Sequence, residues 1–170
     1  MAVEALDKKT IVGMIAMGMG IFVIANDFTA LSVAIPAIEK TFNVDVTTAQ
    51  WVINIYTLTF SMAIVTGGRL ADMFGRRRVF VVGAAIFGIF SLSGGLAENI
   101  WWLLGSRGIM GIGGAMVWSS VIGMTYQLIP ASRAGLAGGL IIGVAGMGNA
   151  LGPLIGGFLT DGLGWQWVFF

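Results

Sequence analysis

The sequence predicts an all-α bundle of membrane-spanning helices, on three observations. Hydrophobic residues make up 57% of the 170 and charged residues only 10%, far from the half-apolar, quarter-charged mixture of a soluble domain. The mean hydropathy is strongly positive, at +0.93. The apolar residues also fall into runs of the length that crosses a bilayer, whose core of about 30 Å takes about 20 residues of helix. Lipid supplies no hydrogen-bond partners, so only helices and closed barrels span it, and runs of this length are helical.

Five spans follow in order, at 11–35, 51–71, 79–96, 100–129 and 134–159, and the start of another at Trp165 reaches only Phe170. The first is too long for the apolar core of a signal peptide, about 7 to 15 residues, and no small-residue cleavage site follows a short core. The second opens on "WVINIYTL" and runs into the charged stretch "GGRLADMFGRRR", residues 67–78, which joins it to the third. The fourth carries Arg107 among glycines, and the fifth is rich in glycine and holds Pro153. A sixth span cut short after six residues makes the 170 residues an incomplete transmembrane domain.

The loops set an orientation. Lys8 and Lys9 precede the first span, Arg76, Arg77 and Arg78 join the second to the third, and Arg133 joins the fourth to the fifth, whereas the opposite loops hold Lys40 alone with Glu39, Asp45, Glu98 and Asp161. The positive-inside rule then places the N-terminus on the cytoplasmic side of the plasma membrane.

Several functions are excluded. Without cysteine or histidine there is no disulfide, thiol nucleophile, Cys/His metal site or imidazole proton carrier. There is no Walker loop, and "GIGGAM" lies inside a span, so it is not a nucleotide cradle. No cofactor or metal is expected, and no enzyme chemistry. The net charge of +1, with basic residues scattered or beside spans, gives no support for nucleic acid as a partner.

Two charges lie where they are expensive. Asp27 and Arg107 sit inside spans, where an ionised residue costs at least about 2.5–3.5 kcal/mol on insertion scales and needs a partner or water. Gly13, Ala16, Gly20, Asp27, Ala30 and Ala34 share one helical face, and Arg107 shares one with Gly111 and Gly114. At about 1.5 Å per residue, Asp27 lies about 12 Å and Arg107 about 10 Å inside the outer ends of their spans. Similar depth predicts that the two line one polar cavity and pair there. The cation favours the ionised carboxylate and burial the neutral one, a balance suited to loading and releasing a proton in exchange for a cationic substrate. A static ion pair that only fixes helix packing is the competing reading.

Gly139 and Gly143, then Gly148, Gly152 and Gly156, repeat the spacing of close helix contacts, and Pro153 removes a backbone bond. In the charged stretch, three arginines beside two spans would suffice for topology. Asp72 adds a second reading: it is placed to meet a helix N-terminus or the nearby arginines in one conformational state and so bias an alternating-access equilibrium. Trp51, Tyr56, Met116, Trp118 and Tyr126 offer an aromatic and thioether surface for lipophilic cations, with core or lipid packing as the alternative for each. Trp101 and Trp102 fit the outer interfacial belt.

Gly68, Leu70, Ala71, Asp72, Gly75, Arg76 and Arg77 resemble, position for position, the signature loop between the second and third helices of major facilitator superfamily transporters. Leu103, Arg107, Gly111, Gly113, Gly114 and Ala115 are similar to the family's fourth-helix arginine motif, and Gly148, Gly152, Pro153, Gly156 and Gly157 to the fifth-helix motif of its antiporters. "NDFTALSVAIPAI" and "WVINIYTL" look most like the fourteen-helix drug:proton antiporters. Met73, Phe80 and Met110 depart from the usual residues.

The resemblance implies the N-terminal six-helix half of a major facilitator fold, with its sixth helix truncated. It implies a small-molecule substrate and protons as partners, a C-terminal half that the chain lacks and the signature loop contacts, and a role for the fifth-helix motif in sealing against leak. Proton-coupled drug efflux is the function expected. A uniporter or symporter of another solute, and a truncated membrane protein that does not transport, are the alternatives.

Overall fold

The computed structural model describes residues 8–128 and 134–170. Arg133 of the orientation argument falls outside them. The described residues form six α-helices and a closing 3₁₀ turn: α1 Lys8–Ala30, α2 Ile35–Phe42, α3 Val46–Phe74, α4 Arg76–Gly95, α5 Ile100–Leu128, α6 Ala134–Gly162 and the turn Trp165–Val168. Five are long and apolar enough to cross a membrane, all except α2.

The first expected span, 11–35, is divided. Pro36 has no N–H for the carbonyl of Ser32, and its ring disfavours helical backbone before it. Accordingly α1 ends at Ala30, turns follow, and α2 starts at Ile35 with the proline in its first turn. The Ser32 and Ala34 amides bond to Thr29 and Leu31 in tighter three-residue steps. Asn43, at φ 52°, closes α2.

The second helix starts earlier than expected, at Val46, because the Asp45 carboxylate accepts the Thr48 amide at 3.3 Å and the Thr48 hydroxyl at 2.6 Å. This is an N-cap, which satisfies an otherwise orphaned donor. Gly75, at φ +93°, is the entire connection between α3 and α4, which ends one helix and begins the other in a conformation open to glycine. The expected start at Trp165 is the 3₁₀ turn, tied down by a bond from the Trp165 indole to Thr41 at 3.1 Å and by Ser91 donating to the Phe169 carbonyl at 2.6 Å.

Helix α5 is the axis of the bundle. It packs against α3 and α4 and touches α1, and α6 lies along α1. Its glycines permit this: a Cβ at Gly111 would collide with Thr59 and the backbone of Tyr56 and Phe60, and one at Gly113 would come within 2.8 Å of Gly83 O. Backbones that approach without side chains between them are the usual tight contact of membrane helices.

A buried ion pair between the first and fifth helices

Asp27 lies in the last turn of α1, just before the chain breaks at Leu31. A carboxylate there sits at the negative end of the helix dipole, and the charge that compensates it is Arg107, in the second turn of α5. Arg107 Nη1 donates to both carboxylate oxygens at 2.7 Å. Arg107 is 0% exposed and Asp27 9%. Arg107 Nε donates to the Val52 carbonyl of α3 at 3.1 Å. The guanidinium also lies over the Tyr56 ring, 4.1 Å from its centroid, with the Phe169 ring at 5.8 Å. Gly111 and Gly114, on the same face of α5 as Arg107, bring α3 near enough for these contacts, and the Tyr56 hydroxyl lies against Gly114.

The pair is buried, with Arg107 fully enclosed and the Asp27 side chain 10% exposed. Phe28 meets Tyr56 and Phe60 edge-on at 5.0 and 5.2 Å between ring centroids, and Phe60 meets Trp118 at 6.2 Å. These rings pack around Tyr56, beneath the guanidinium. Among the described residues, Arg107 Nη2 and the Tyr56 hydroxyl are buried without a hydrogen-bond partner.

The aromatic surface proposed for substrate is dispersed. Tyr56 is 0% exposed beneath the guanidinium. Met116 fills the space between α4 and α5 against Gly83. Trp118 packs on Phe60. Trp51 opens onto an outer groove with Trp101, and Tyr126 sits near the opposite end of the bundle beside Gly138. Side-chain type offered no direction, whereas the four-residue spacing of Val52, Tyr56 and Phe60 already placed those three on one face.

The glycines of α6 form a seam with α1. A Cβ at Gly148 would come within 2.6 Å of Phe22 O, one at Gly152 would meet Thr29 and Asn26 O, and one at Gly156 would meet the carbonyl of Ala30. Gly157, Gly139 and Gly143 have nothing within 4 Å of the same position, so the contact repeat covers only three of the five glycines expected to share it. Pro153 faces outward and cannot donate to Asn149 O, its partner four residues back. The Thr29 hydroxyl of α1 donates to that carbonyl at 3.1 Å, and Asn26 Nδ2 to Gly148 O at 3.4 Å. Asn26 and Thr29 were missed in the sequence, although both flank Asp27 in an otherwise apolar run.

At the other end, Asp72 accepts from Arg76 Nη2 at 3.0 Å, one turn on. The Arg76 guanidinium rests on Gly123 of α5, where a Cβ would overlap it. Asp72, Arg76, Arg77 and Gly75 line an open crevice of about 600 Å³ with Arg78 and Gln127. In the signature loop the tight glycine is Gly67, 3.1 Å from Ser119 Oγ at its Cβ position; the same position at Gly68 is 3.9 Å from Ser119 Cβ.

Known proteins agree with this architecture. The model of the Major Facilitator Superfamily matches residues 17–170. The tetracenomycin C resistance and export protein of Streptomyces glaucescens is 34% identical over 92% of this chain and 29% of its own length. The puromycin resistance protein of Streptomyces alboniger is 34% identical over 99% of this chain and 34% of its own. The chain thus spans about a third of the length of the curated relatives it matches. Among solved structures, a bacterial homolog of the human lysosomal transporter Spinster, inward-facing and unoccupied, superposes with a TM-score of 0.73 over 97% of this chain and 40% of that one, at 20% identity. That likeness speaks for the fold alone. A multi-pass helical protein whose family match runs through all five spans, the chain belongs to the Major Facilitator Superfamily.

Proposed function

We propose that this chain forms the N-terminal half of a secondary transporter that exports small lipophilic or cationic compounds in exchange for protons, together with a C-terminal half. The observation that carries the reading is the Asp27–Arg107 pair, an ionisable carboxylate held by a buried cation between two spans. The similarity to resistance and export proteins favours efflux over uptake. In this reading the N-terminus and the arginine loop face the cytoplasm of the plasma membrane.

The chemistry is a competition. With Asp27 ionised, the pair is neutral and closed. A proton arriving from outside neutralises the carboxylate, weakens its hold on Arg107 and lets α1 and α5 part; on the inner side, loss of the proton restores a negative charge that a cationic substrate can meet. The Asp72–Arg76 contact and the hinge at Gly75 bias the two states from the cytoplasmic end, and the α1–α6 glycine seam stays closed to limit leak.

The test is ethidium transport driven by a pH gradient in everted vesicles holding the intact transporter. Asp27→Asn is expected to abolish the gradient-driven component, leaving at most passive equilibration. Wild-type coupled flux in this variant would refute the assignment, and gradient-independent flux in the wild-type protein would favour a uniporter.

A further inference from the structure

If Asp27 carries the proton, Arg107 must pass part of the cycle beside a neutral partner. A buried charge left without compensation is strongly destabilising, so something else must hold it. We propose that Val52 and Tyr56 of α3 form a second cradle for Arg107, and that Tyr56 is a positioning residue that keeps the guanidinium in place while Asp27 is protonated. This rests on the coupling reading above.

The cradle uses parts of the guanidinium that Asp27 does not. Asp27 takes Nη1 alone. Val52 O takes Nε at 3.1 Å, and the Tyr56 ring takes the flat face at 4.1 Å. Val52 and Tyr56 are one turn apart on one face of α3, both with 0% exposure. A helix carbonyl has a second lone pair for such a bond, and cation–ring attraction is greatest where water is excluded. The carboxylate can therefore lose its charge without disturbing either contact. Nη2, still unpartnered, leaves room for a further acceptor when the site opens.

Among the described residues, no other ionisable group faces the pair. Facing the pair, α3 contributes Tyr56 and α5 contributes Arg107 itself. The only charged residue of α6 is Asp161, exposed near its end, and α4 is uncharged beyond Arg78. The closing turn brings the Phe169 ring.

The experiment is a double-mutant cycle in the intact transporter, reading folded yield in the membrane and the pH midpoint of coupled efflux. Asp27→Asn and Tyr56→Leu should each leave a folded protein, because each leaves one set of contacts. Together they should lose far more folded protein than the two single losses combined, while Asp27→Asn with Tyr56→Phe, which keeps the ring, should match Asp27→Asn alone. Tyr56→Leu should also move the pH midpoint toward acid, by about tenfold in proton affinity, since the proton-loaded state leans on the ring; Tyr56→Phe should not move it. Additive losses, an unfolded Tyr56→Leu single variant, or a Tyr56→Phe that behaves like Tyr56→Leu would each overturn the cradle. Retained coupling in Asp27→Asn would refute the coupling reading instead, with the folding cycle still reporting on the contacts.

Discussion

Gly156 and Gly157 are neighbours in α6 with opposite surroundings, and alanine at each separates helix packing from helix propensity. A Cβ at Gly156 would overlap the Ala30 carbonyl oxygen and stand 2.8 Å from its carbon and 2.9 Å from its Cα, whereas one at Gly157 would meet nothing within 4 Å. The obstructing atoms are backbone and cannot rotate aside, so α1 and α6 must move apart. Overpacking of this kind costs about 1–3 kcal/mol. Replacing glycine in a helix returns up to about 1 kcal/mol at either position, so the propensity term cancels between them. Gly156→Ala should therefore be less stable than Gly157→Ala by about 1–3 kcal/mol. Heating the purified proteins in detergent, with folded fraction read by size-exclusion chromatography, measures the difference. Equal stabilities, or Gly157→Ala as the weaker of the two, would refute a seam built on backbone contact.

The arginine loop and the α3 cap give two further expectations. Gly123→Ala should push the Arg76 guanidinium off α5 and away from Asp72; an exposed pair of this kind contributes at most about 1 kcal/mol, so the melting temperature should barely change while the transport rate falls, as it should in Asp72→Asn, and unchanged rates in both would end the gating proposal. The Thr48 hydroxyl holds the Asp45 carboxyl below its ordinary 3.8; a smaller effect of burial opposes it, and a still smaller one from the Thr48 amide assists it. A lowered folded value means that the cap's contribution is complete above pH 3.8 and is lost as the pH falls through the lowered value. Amide exchange at residues 47–49 should accelerate over that window, and Asp45→Asn should remove the pH dependence.

Much of the architecture was legible because lipid permits so few solutions. Composition and run length predicted a helical membrane bundle, and the cost of a buried charge made Asp27 and Arg107 seek a partner at similar depth. What the sequence concealed was direction. Leu31, Ser32, Val33 and Ala34 keep the hydropathy high past the point where Pro36 denies the helix its next hydrogen bond, so one span was read where the chain turns. Trp51, Tyr56, Met116, Trp118 and Tyr126 share a chemistry but not a face, and only the spacing of Val52, Tyr56 and Phe60 carried the information that Tyr56 points inward. Gly139 and Gly143 have the spacing of a contact stripe, yet they lie on the exposed face of α6, with nothing within 4 Å of their Cβ positions. Thr29 was invisible for another reason: its partner, the Asn149 carbonyl, needs it only because Pro153 lies four residues further on.

The ion pair also has a meaning in time. Asp27 and Arg107 are 80 residues apart, and at roughly 5–20 residues per second of synthesis the carboxylate is made several seconds before its counter-ion. Through that interval α1 holds an acidic group without Arg107 to meet it, and three more helices are laid down before α5 emerges. The helix that brings the arginine has somewhere to deliver it only if α1 is still nearby. The bond that closes the finished bundle thus also favours an order of assembly in which the first span waits for the fifth helix.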